Sequence, residues 1–186
     1  MKPNDEFTVR SVMTLLAVFV VTFFQLGSMK AYGVLVPQLS EHLSLDLWQV
    51  GLTGSIWIGL RALLGPLWAL LARTFSYRIL TVLGGIISAV GILCAAFSHT
   101  FTQLICSMAL LGIGHGLPLV AKVVALRDYF KDNFSLANGI AFAGGAVGMI
   151  IFAPLMEFGI RTYGWRGAMY FWSIQLKHQC CGLSYD

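Results

Sequence analysis

An all-α, polytopic membrane protein is the fold class that two observations predict. Hydrophobic side chains make up 58% of the 186 residues and charged ones 11%, against roughly 45–50% and 25% in an average soluble domain. The apolar residues also gather in blocks of about twenty or more with turn signals between them, which is the pattern of bilayer-crossing helices and not of short core helices. The net charge of +4 comes from basic residues scattered at block ends. Without a basic stripe, nucleic acid is not an expected partner, and the charge reports membrane orientation instead.

The first apolar block, 12–36, follows a polar tail of residues 1–11. It lacks the small-residue cleavage site of a signal peptide and is expected to stay in the mature chain. Further blocks follow at 47–72, 79–98, 101–126 and 136–158, each able to reach about 30 Å at about 1.5 Å per residue. A sixth opens near Trp165 and turns polar at Gln175, Lys177 and His178. Its partial span, 165–174, supplies only about 15 Å of helix, half of what a bilayer needs. Residues 174–186 read as a divergent C-terminal tail.

Lys and Arg in short connections set orientation. Lys2, Arg10, Arg73, Arg78, Arg127 and Lys131 fall on one side of the alternating blocks and only Arg161 and Arg166 on the other, which puts the N-terminus in the cytoplasm. Small residues four apart, at Gly51, Ser55 and Gly59, at Gly112 and Gly116, and at Gly144 and Gly148, predict close helix packing in lipid. Pro37, Pro66 and Pro154 lie near block ends, while Pro118 lies deeper and is a site for a kink.

Lys30, Arg61 and Lys122 lie inside apolar blocks, with Glu157 the only acid comparably placed. A charge at mid-membrane costs about 2.5–3.5 kcal/mol on insertion scales, so such residues face a cavity or a partner. Unpaired positive charge therefore points to a path for an anion or to acids supplied from elsewhere. Lys30, beside Gly27, Tyr32 and Gly33, has two readings, a ligand contact or a side chain snorkelling outward. Arg61, near mid-span, reads as a buried pair or cavity contact, and Lys122, near the inner end of its block, as a snorkelling side chain. His115, flanked by glycines, is either a proton carrier or a hydrogen-bonded packing residue.

Catalysis is not expected. The sequence has no metal-ligand cluster, no phosphate-binding Gly-rich loop and no paired acids, so neither an enzyme nor a cofactor is predicted. Cys94 and Cys106 lie in apolar blocks and Cys180 and Cys181 are adjacent, which argues against a disulfide framework or a zinc site.

Tyr129-Phe130, then Leu136-Ala137-Asn138-Gly139, Ala143-Gly144 and Gly148, then Tyr163-Gly164-Trp165-Arg166-Gly167-Ala168 resemble the fourth-to-sixth helix region of the monocarboxylate transporters of the major facilitator superfamily. Gly65-Pro66-Leu67 with Arg78, Gly112 with Gly114, and Lys30 with Gly33-Val34 resemble its earlier helices. The likeness covers about residues 12–173. Arg61, His115 and Lys122 match no motif position.

The resemblance implies an N-terminal six-helix bundle of a major facilitator fold with an incomplete sixth helix. It also implies alternating access between two such halves. The implied cargo is a small carboxylate or similar organic solute, often moved in symport with a proton, at the plasma membrane; a single-span accessory protein is a partner the glycine faces of the bundle could take. Lys30 is the residue the resemblance marks for substrate or proton coupling, with Arg61 added from its depth. The chain is accordingly expected to be a truncated form, inactive alone. The alternative is a non-transporting membrane protein that pairs with a full-length transporter or accessory subunit.

Overall fold

A computed structural model describes residues 9–130 and 133–181, with side chains except at 9, 10, 77, 78, 171 and 174–181. Lys2 and Lys131 of the orientation count lie outside the described residues, as do the side chains of Arg10, Arg78, Cys180 and Cys181 and those of the tail 174–186. Six helices follow one another: α1 Val9–Leu43, α2 Leu47–Leu63, α3 Gly65–Thr74, α4 Tyr77–Ala96, α5 Phe101–Tyr129 and α6 Phe134–Cys181, with no strand among the described residues. By length and composition four helices can cross a membrane, and α2 with α3, bent by 44°, make a fifth crossing if the pair is one span.

The bend has a local cause. Pro66 stands in the first turn of α3 and has no N–H to give to the carbonyl four residues back, so one helix stops at Leu64 and another starts. The deeper proline behaves differently, because α5 is one continuous helix through Pro118. There the missing hydrogen bond is tolerated and the ring packs over Gly84 of α4. The second break is at Gly164, whose φ of 72° and ψ of 174° lie where only glycine sits without strain. It turns the chain back, and residues 165–181 run as helix beyond the point where hydropathy ends. Gln, Leu and Lys are good helix formers, so the change of polarity at Gln175 does not stop the backbone.

Glycines let the helices meet at backbone distance. A side chain on Gly148 would run into the backbone of Phe23, and a Cβ on Gly112 would stand 2.7 Å from the carbonyl oxygen of Trp57. Phe23 and Phe24 of α1 then pack edge-on to Phe152 of α6 at 5.4 and 5.8 Å between ring centres. The rows at Gly112/Gly116 and Gly144/Gly148 are thus used for packing. The row at Gly51, Ser55 and Gly59 is not, since nothing approaches either glycine and all three residues are exposed. What joins α2 to α1 is a polar clamp, in which the Tyr32 hydroxyl donates to the Val50 carbonyl at 2.8 Å and lies 2.5 Å from Thr53 Oγ1.

Candidate functional site

Thr22, Gln25 and Met29 are spaced three and four apart and therefore share one face of α1. Thr22 and Gln25 are fully buried, and two cations converge on this stripe. Lys122 of α5 donates from Nζ to Thr22 Oγ1 at 3.3 Å and to Gln25 Oε1 at 3.2 Å. Arg61 of α2 reaches Met29 Sδ at 3.8 Å, a thioether that is only a weak acceptor. The stripe is held in place from both ends. Thr22 donates to the Val18 carbonyl at 2.7 Å, leaving oxygen lone pairs for the ammonium, and the Gln25 amide donates to the His115 carbonyl at 3.1 Å.

Aromatic rings close the cluster. The Lys122 ammonium lies 5.4 Å from the centre of the Phe142 ring, a favourable cation–π distance. His115 is completely buried, and neither ring nitrogen has a hydrogen-bond partner. Its imidazole lies 5.5 Å from Trp57, which lies 5.9 Å from Trp172, and both indole N–H groups are also without acceptors. Buried donors are normally satisfied, so several orphans around two cations make this region acceptor-poor.

Among the described residues no carboxylate relieves that. The described acids Glu41, Asp46, Asp128 and Glu157 are all exposed, and the ion pair among described side chains joins Arg161 to Glu157 at 2.6 Å, away from the cluster. Lys122 and Arg61 are thus two positive charges facing neutral acceptors. Neutral hydrogen bonds offset part of the desolvation of a buried charge and leave its field uncancelled.

Lys122 is 4% exposed, which corrects the expectation that it snorkels. Two neutral acceptors at membrane depth hold its ammonium before it reaches the interface. Lys30 is exposed; it stands five turns along α1 from exposed Val12 and about 100° round the helix from Met29, the contact of Arg61. His115 makes no side-chain hydrogen bond among the described residues, although its carbonyl helps hold Gln25.

The motif residues are spread over the bundle. Asn138 is half-buried and Gly139 exposed near the start of α6, Gly144 packs under Phe19, and at the opposite end Trp165 is buried with Arg166 over its ring at 5.1 Å. Thr22 and Gln25, which hold Lys122, are residues of this cluster that sequence reasoning missed. Their signal was two polar side chains, three apart, in the middle of an otherwise apolar block.

The sequence pattern of the Major Facilitator Superfamily matches residues 18–175. The chain belongs to that superfamily. As a superfamily member it is similar to monocarboxylate transporter 13 of Rattus norvegicus, with 30% identity over 172 residues, or 91% of this chain and 40% of the relative. Monocarboxylate transporter 3 of the same species is 30% identical over 89% of this chain and 34% of the relative. Among solved structures, a peptide transporter of the POT type in complex with alafosfalin superposes with a TM-score of 0.77 at 19% identity, over 90% of this chain and 37% of that one. The bundle therefore has the major facilitator fold, and the chain spans about a third to two fifths of the length of these relatives.

Proposed function

We propose that this chain forms one half of an alternating-access carrier for monocarboxylates or similar small organic solutes, whose anionic group is drawn by cations the bundle leaves unpaired. The observation that carries this reading is the convergence of Lys122 and Arg61 on one stripe of α1, against neutral acceptors only. Charge at membrane depth favours a partner of opposite sign, and superfamily carriers hold cargo between two bundles. Likeness to monocarboxylate transporters over about nine tenths of the chain supports a carboxylate.

In this reading Lys30, on the exposed face of α1, makes the first contact with the anion, and Arg61 with Lys122 sets the potential behind it. His115 is the group through which a proton is coupled. The N-terminus is cytoplasmic, the membrane is the plasma membrane, and the open small-residue row of α2 is where a single-span accessory helix packs. Transport needs the facing bundle, so the 186 residues alone do not transport.

The test replaces the matching stretch of a monocarboxylate transporter with residues 1–173 and follows uptake of labelled lactate. The chimera is expected to take up lactate, and Lys122→Gln or Arg61→Gln to lower uptake at least about tenfold through loss of a depth-placed charge. Uptake indifferent to both substitutions overturns the role of the cations. Saturable uptake into vesicles holding the 186-residue chain by itself, abolished by Lys30→Ala, overturns its inactivity.

A further inference from the structure

A second set of basic side chains meets at the end of the bundle where α1 finishes and α5 begins. His42 comes from the last turn of α1, His99 from the link between α4 and α5, and Trp165 with Arg166 from the turn of helix that follows Gly164. They enclose a cleft of about 410 Å³ that also touches Ser44. Arg166 Nη2 lies 3.3 Å from His99 Nδ1. A guanidinium has no acceptor to offer, so His99 Nδ1 is the acceptor and Nε2 carries the ring hydrogen. The guanidinium carbon lies 5.1 Å from the centre of the buried Trp165 ring, and the His42 ring packs 6.0 Å from the same indole.

Donors predominate here, as they do at the deeper site. Arg166 forms no ion pair among the described residues; the nearby Glu157 is held by Arg161, and Asp46 accepts from the indole N–H of Trp48. Glu41, adjacent to His42, lies roughly 100° round α1 from it. One guanidinium edge is fixed by His99 and one face is covered by indole, so the remaining N–H groups are preorganised for a planar or tetrahedral oxyanion.

We propose that the cleft between His42, His99 and Arg166 binds a small oxyanion, a carboxylate or a phosphate group, with Arg166 as the clamp and the two imidazoles as walls. Arg166 presents its positive charge beside the Trp165 indole, and an anion neutralises it. The oxyanion comes either from a dissolved acid or from a lipid headgroup at the membrane surface, since basic pockets at helix ends take both. This site is separate from the Arg61 and Lys122 cluster and does not depend on the carrier reading.

The full 186-residue chain, in nanodiscs of phosphatidylcholine, is titrated with acetate and with inorganic phosphate and followed by line broadening of the ligand resonances. A parallel set contains a minor share of phosphatidylglycerol, and native mass spectrometry counts the lipid retained. Saturable binding of acetate or phosphate identifies a solute site. Retention of phosphatidylglycerol without solute binding identifies a headgroup site. Arg166→Gln is expected to remove either signal. His42→Gln, whose ring packs against Trp165, is expected to keep the fold and weaken binding by at least about threefold through loss of one wall of the cleft. Binding that survives Arg166→Gln unchanged, or no binding of any of the three probes, overturns the proposal.

Discussion

Without the Gln25 amide, Lys122 loses one of its two acceptors and the His115 carbonyl loses its donor. Gln25→Leu should therefore destabilise the bundle by about 1–3 kcal/mol, the usual cost of leaving a buried polar group unsatisfied. Lys122→Met keeps the volume and removes the charge that needs those acceptors, so it should be neutral or stabilising. In the double variant the penalty of Gln25→Leu should shrink, because the group it strands is gone. A double-mutant cycle on unfolding in mixed micelles reads this coupling, and strict additivity would remove the network as its explanation. None of this could be read from Lys122 in the sequence, where it lies close to a block end and a hundred residues from Thr22. Arg61 was legible because its depth alone rules out easy escape to water. The partners of both cations are neutral, and charge counting passes over neutral acceptors.

At the scale of elements, hydropathy leaves the continuity of the helices open. The block 47–72 is two helices because Pro66 lacks a donor, while 165–181 is one helix across a change of polarity. Glycine spacing likewise indicates where close approach is possible without saying whether a helix comes. Gly148 receives the backbone of Phe23 and Gly51 receives nothing. Gly148→Ala should therefore cost about 1–3 kcal/mol through overpacking at the α1–α6 contact. Gly51→Ala should gain about 0.5–1 kcal/mol from helix propensity. Thermal melts in detergent separate the two, and a Gly51→Ala variant destabilised as much as Gly148→Ala would show that α2 has a packing partner on that face.

For the whole molecule, the alternation of helix directions puts Ser44 and Ser135, both exposed, at opposite ends of the bundle. With the N-terminus in the cytoplasm, Ser44→Cys should react with a membrane-impermeant maleimide on intact cells, and Ser135→Cys only after permeabilisation. The reverse pattern would invert the orientation that Lys and Arg placement predicts. Exposed apolar side chains such as Leu63, Ile150 and Phe158 also require a lipid or detergent surround, and transfer to plain buffer should aggregate the chain, as light scattering would register.

The acceptors of Lys122 also bear on how the protein is made. Thr22 and Gln25 belong to α1, which leaves the ribosome ahead of α5, whereas Lys122 emerges about a hundred residues later. A lysine entering the bilayer meets an insertion penalty of about 2.5–3.5 kcal/mol, and here its hydrogen-bond partners are already in the membrane when it arrives. Order of synthesis thus stands in for a counter-ion: α5 should depend on α1 for insertion, while α1 needs nothing from α5.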